Sequence, residues 1–230
     1  MKSRIVLSLC VIVLGLTLAA CTTPAPLPEA PTPIPTLIPA TMPPPGAQNT
    51  PQPGVVLPKA APVAANGAAI YAENCADCHG PDGAGVVEGS RDFTDVDYLR
   101  AAAPVDFYAV VTNGAGDMPA FKNELSDEER WEATYFLWSF AVPASQLSQG
   151  KTVYEAAGCV ACHGAEGQGA IPQAAKFSAD FIAQHPAQQY YQSVSAGKGI
   201  MPAHQDRLSA EERWAAVEYV RTFGYQSASK

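Results

Sequence analysis

The sequence predicts an all-α protein built as two tandem helical units behind a proline-rich segment. Three observations predict it. A 14-residue stretch occurs twice, as Met118–Trp131 (MPAFKNELSDEERW) and Met201–Trp214 (MPAHQDRLSAEERW), at a constant offset of 83. The pattern C-x-x-C-H also occurs twice, as Cys75-Ala76-Asp77-Cys78-His79 and Cys159-Val160-Ala161-Cys162-His163. Finally, residues 22–65 are dominated by Pro, Ala and Thr, and the mixed pattern of a globular chain starts only near Asn66. Of 230 residues, 165 therefore remain for folded structure, divided at the repeat into 66–145 and 146–230. Domains of about 80 residues bury little surface and often depend on a metal, disulfide or cofactor.

At the N-terminus, Lys2 and Arg4 precede the apolar run Ile5–Ala20. Its 16 residues fall short of the about 20 that a membrane-spanning helix needs and suit a secretory signal. The run ends in Leu18-Ala19-Ala20-Cys21, which resembles the lipobox of bacterial lipoproteins. That resemblance implies removal of residues 1–20 and a lipid anchor on Cys21. An ordinary cleaved signal and a retained short anchor are the alternatives. All three put the remainder outside the cytoplasm, on the periplasmic side. Residues 21–65, with prolines at 24, 26, 28, 31, 33 and 35, read as an extended tether, because proline fixes φ and removes donors.

C-x-x-C-H is the attachment signature of c-type haem. Two thiols one short turn apart add to the two vinyl groups, and the adjacent His turns its imidazole to the iron. A single C-x-x-C also fits a thiol redox pair or half of a zinc site. The six cysteines leave none for a structural disulfide, since Cys10 lies in the leader and Cys21 ends it. Met118 follows His79 by 39 residues and Met201 follows His163 by 38, each after a Gly-rich loop, 113–117 and 196–200. A thioether is a suitable sixth ligand to haem iron. Core packing is the other common use of Met, but two methionines at matched positions favour ligation.

Helices flank these motifs. Ser126 with Glu129 and Ser209 with Glu212 form capping boxes that start helices. Apolar and aromatic stretches follow, Trp131–Phe140 and Trp214–Tyr219, while Gly67–Asn74 and Gly150–Gly158 precede the haem motifs with Tyr71 and Tyr154. With these residues in view, each half resembles a class I cytochrome c domain. The resemblance covers residues 66–230 and implies a small all-α fold wrapped around a covalent haem, hence two haem irons in all. It implies attachment through Cys75, Cys78, Cys159 and Cys162, and iron ligation by His79, Met118, His163 and Met201. The family usually has a Pro about ten residues after the haem His, whose carbonyl holds the imidazole N–H. Pro172 suits that role for His163, but Val86, Val87 and Glu88 stand there in the first unit, which leaves the orienter of His79 open.

Of the other histidines, His204 aligns with Phe121, so a ligand role is disfavoured, and His185 reads as a loop residue. Trp131 and Trp214 read as helix-packing residues. Charge is uneven: residues 66–145 hold 14 acidic against 4 basic residues, whereas 146–230 hold 7 of each. An acidic unit steers toward a basic partner face and disfavours nucleic acid.

Irons carrying both His and Met offer substrate no open position. The expectation is therefore single-electron transfer between a membrane respiratory or photosynthetic donor complex and a terminal acceptor, with a soluble redox protein as a further partner. Dihaem carriers resembling cytochrome c4 share the two-domain layout. A dihaem peroxidase or thiosulfate-oxidising cytochrome needs a vacant or Cys-ligated haem, which the placed methionines and the lack of spare cysteines argue against. A structural assembly subunit is the third reading, separable by electron-exchange measurements.

Overall fold

A computed structural model of the protein describes residues 54–227. The expected signal peptide, Cys21 and most of the expected tether lie outside the described residues. Among those described there are helices and isolated bridges but no strand. The first unit runs α1 (Gly67–Asn74), α2 (Ala76–His79), α3 (Val96–Ala101), α4 (Pro104–Asn113) and α5 (Asp127–Phe136), extended by a 3₁₀ turn at Leu137–Phe140. The second repeats that order as α6 (Ala144–Ala156), α7 (Val160–His163), α8 (Ala179–Ala183), α9 (Ala187–Ala196) and α10 (Ala210–Arg221).

The capping boxes start the last helix of each unit. Ser126 N–H donates to Glu129 Oε2 at 2.8 Å and Ser209 N–H to Glu212 Oε2 at 2.8 Å, while each serine Oγ accepts from the glutamate N–H. That closure satisfies two otherwise orphaned donors. Helix α1 occupies Gly67–Asn74 as expected. Helix α6 starts six residues before Gly150, because no breaker follows Pro143 in Ala144-Ser145-Gln146-Leu147-Ser148.

In each unit the first helix crosses the last, α1 on α5 and α6 on α10. The crossings are made at glycines. A β-carbon on Gly67 would collide with the Glu132 carbonyl, and one on Gly150 with the Ala215 carbonyl. Aromatic stacks tie α4 to α5 and α9 to α10: Tyr108 on Trp131 with centroids 4.2 Å apart, and Tyr191 on Trp214 at 4.1 Å. Trp131 and Trp214 are thus packing residues, as expected. The core of the first unit is richly aromatic, including Tyr71, Phe107, Trp131, Tyr135 and Trp138.

Packing begins before residue 66. Val55 and Leu57 lie against the first unit's core, and Trp131 Nε1 donates to the Val56 carbonyl at 2.7 Å. Val63 bridges to Gln226 at the far end of the second unit, with Ala64 N–H donating to the Gln226 carbonyl at 2.9 Å. The segment next to the first unit is therefore part of the folded body, which the proline-rich composition did not reveal. Between the units, α3 packs on α9 and its counterpart α8 packs on α4, the counterpart of α9. The contact is reciprocal, like that of a two-fold dimer.

Candidate haem-binding sites

Each C-x-x-C-H motif forms a four-residue helix, α2 or α7, at the end of the unit's first helix. The short turn gives Cys75, Cys78 and His79 consecutive places on one coil of backbone, with Cys159, Cys162 and His163 placed alike. Tyrosines pin both coils: Tyr71 OH donates to the Gly80 carbonyl at 2.8 Å and Tyr154 OH to the Gly164 carbonyl at 2.7 Å. The loop after each coil folds back onto it, through Gly85 N–H to the His79 carbonyl and Gly169 N–H to the His163 carbonyl, both 2.8 Å.

The two histidines are held identically. His79 Nδ1 lies 3.3 Å from the Arg91 carbonyl and His163 Nδ1 lies 3.3 Å from the Ala175 carbonyl. Phe93 stacks on the His79 ring at 4.7 Å and Phe177 on the His163 ring at 4.9 Å. A proton on Nδ1 directed at a carbonyl leaves Nε2 as the lone-pair donor, the tautomer an iron ligand needs. This corrects the expectation about Pro172. The orienting carbonyl belongs to Ala175, three residues further on, and the first unit, without a proline, supplies the same carbonyl from Arg91. The role is filled by backbone, so residue type carries no signal for it; only the common spacing of 12 residues does.

Burial pushes the Cys75 thiol up to about 11, with Cys78 adding to the rise, and burial likewise raises Cys159. A thiol held neutral is a poor redox nucleophile or zinc ligand. Among the described residues no group of three or more His, Cys, Asp or Glu side chains is placed to hold a metal ion.

Met118 and Met201, both half-buried, sit on separate loops after α4 and α9. Each loop closes as a small bridge, Ala115 with Met118 and Lys198 with Met201, the Met N–H donating across at 3.0 Å. Gly114 and Gly197 enter these loops at φ +73° and +77°, and a β-carbon at either would press on the carbonyl of the Met or its following residues. Only glycine fits there. Phe121 and His204 close the loops, each donating its N–H to α4 or α9 at 3.0 Å, and both side chains are buried. His204 therefore replaces a packing phenylalanine, and burial lowers its basicity. His185 lies in the loop after α8 as expected, but half-buried, stacked on Phe181 at 4.2 Å.

A repeated all-α unit, with a haem motif on its second helix and a Met loop before its last, defines a dihaem class I cytochrome c. Comparison with known proteins agrees. A family model described as cytochrome c oxidase, cbb3-type, subunit III matches residues 62–137 and again 145–220. The chain belongs to that family, and each of its two units binds one c-type haem. Similar proteins include the cbb3-type cytochrome c oxidase subunit CcoP of Rubrivivax gelatinosus, 30% identical over 175 residues, 74% of this chain and 57% of that protein. The FixP subunit of the same oxidase type from Sinorhizobium medicae is 30% identical over 158 residues, 62% of this chain and 54% of its own. A cytochrome c6 of Anabaena variabilis is 42% identical over 65 residues, 28% of this chain and 76% of its own. The chain spans little more than half the length of the two oxidase subunits.

Proposed function

We propose that this protein carries single electrons through two six-coordinate haems, from a membrane donor complex to a terminal oxidase of the cbb3 kind. The observation that carries the reading is that the same setting of a His, and the same setting of a Met, occur once in each unit. Each unit has a His whose Nδ1 faces a carbonyl 3.3 Å away, and each has a Met held on a glycine-entered bridge. Thioether bonds from Cys75, Cys78, Cys159 and Cys162 fix the haems. His79 with Met118, and His163 with Met201, complete the irons. Filled axial positions leave outer-sphere electron exchange as the chemistry available. The oxidase names of the relatives support the choice of acceptor.

The haem units work on the periplasmic side, held to the bilayer by a lipid on Cys21 and a tether through the following residues. The lipobox-like leader supports this. Among the described residues no helix is long and apolar enough to cross a membrane.

Stopped-flow mixing of the reduced full-length protein with solubilised membranes containing the oxidase tests the proposal. Both haems should reoxidise at the rate of oxygen uptake, and cyanide bound at the oxidase should stop them. Reoxidation unaffected by oxidase-blocking cyanide would remove that acceptor, and no exchange at all would favour an assembly role.

A further inference from the structure

Residues 54–64, ahead of the first helix, form a strap over the stems of the Met118 loop. That loop runs from Asn113, the last residue of α4, to Asp127, the first of α5. Two ties close it from within: the Ala115–Met118 bridge, and Phe121 N–H donating to the Val111 carbonyl of α4 at 3.0 Å. The strap lies on the next residues of the same stem. Gly54, at φ +76°, passes so near α4 that a β-carbon there would stand 3.3 Å from Thr112 Cγ2 and 3.6 Å from Asn113 Oδ1. Two residues on, the Val56 carbonyl accepts from Trp131 Nε1 of α5 at 2.7 Å, while Val55 and Leu57 pack on the core. Trp131 in turn stacks on Tyr108 of α4 at 4.2 Å. One stretch of chain thus grips both stems.

The far end of the strap is fastened as well. Gln226 N–H donates to the Pro62 carbonyl at 2.8 Å, and Ala64 N–H to the Gln226 carbonyl at 2.9 Å. A segment fastened at both ends resists local opening. The second Met loop has a different brace. Counted 83 residues on, strap positions 54–57 fall at Leu137–Phe140, the 3₁₀ turn that ends the first unit. Trp214, the counterpart of Trp131, is covered instead by Arg100 of α3. That side chain reaches across the seam between the units, lying 4.0 Å over the Trp214 ring and pairing with Glu218 at 2.9 Å. The strap therefore serves the first unit alone.

We propose that the strap is a positioning element for Met118: by clamping α4 to α5 it keeps the loop closed and the thioether on the first haem's iron. A ligand carried on a loop is presented only for the fraction of time the loop is closed, and its apparent affinity falls by that fraction. The chain before residue 54 leads directly into the strap, so N-terminal attachment bears on the first haem and not on the second. The inference rests on Met118 as a ligand, and is independent of which complex the protein serves.

The test uses the full-length holoprotein with two changes. Val55→Ser with Leu57→Ser unseats the strap without touching the loop, and Trp131→Phe removes the donor to Val56. Each is also made in a Met201→Ala background, where the remaining near-infrared sulfur-to-iron band belongs to Met118. Tryptic cleavage after Lys59, exposed on the strap, reports its release and should quicken. The double-serine variant should lose most of the Met118 band, take up carbon monoxide at one haem and lower that haem's midpoint alone. Trp131→Phe should shift all three less and in the same direction, and Val55→Ile with Leu57→Met should keep wild-type values. A strap that only stabilises the fold would lower resistance to denaturant and move none of the three. That result, with Lys59 cut faster, would overturn the proposal. Should the double-serine variant fail to load haem, Trp131→Phe decides alone, and an unchanged Met118 band there overturns it. Carbon monoxide binding by the wild type would instead remove Met ligation itself.

Discussion

The residues proposed to bind haem are spelled out locally, because covalent attachment requires two thiols and an imidazole within one turn. That is why Cys75, Cys78, His79 and their counterparts were legible in the sequence, and why matched methionines extended the pattern. The orienters of His79 and His163 were not legible, since the Arg91 and Ala175 carbonyls exist whatever side chain stands there. The proposed sixth ligands yield a sharp test at this scale. Met118→Ala and Met201→Ala should each open one iron to carbon monoxide and remove about half of the near-infrared sulfur-to-iron band. The wild-type protein should bind no carbon monoxide. Binding by the wild type at one haem would show an open site and favour the enzyme reading.

At the scale of elements, the capping boxes fixed where α5 and α10 begin, and both start at the residue after the capping serine. Ser126→Ala or Ser209→Ala should cost about 1 kcal/mol in chemical denaturation. The helix crossings are less forgiving. Backbone lies directly over Gly67 and Gly150, so alanine at either forces the pair apart and should cost about 1–3 kcal/mol. Gly158→Ala serves as a comparison: it meets nothing within 4 Å but has φ +82°. Its penalty is one of backbone strain at about 1 kcal/mol. Equal losses at Gly150 and Gly158 would show that close approach is not what the crossing glycine provides. The 83-residue offset pairs these two glycines in the sequence but does not show them as contacts, since a crossing point depends on which face the partner helix presents.

For the whole molecule, the tandem layout was legible from the 83-residue repeat, whereas the packed segment from Gly54 and the seam were not. The seam leaves a faint trace: aligned at that offset, Glu218 and Arg221 stand where the first unit has Tyr135 and Trp138. Charged residues at positions that are aromatic in the sister repeat mark where the units stop being equivalent. The charge imbalance, 14 acidic against 4 basic residues in 66–145, predicts faster encounter with a basic partner face at low salt. The bimolecular oxidation rate should fall steeply as ionic strength passes about 0.1 M, where screening shortens to about 10 Å. A flat profile would move docking to the neutral second unit. Cys21→Ser should release the protein from membranes with its haem spectrum unchanged; retention through alkaline washing would point to a membrane-held leader instead. Most directly, two independent covalent haem sites are tested by counting haem on the denatured chain. The wild type should retain two haems, and the double variants Cys75→Ala/Cys78→Ala and Cys159→Ala/Cys162→Ala one each; a single haem in the wild type, or two retained in either variant, would contradict it.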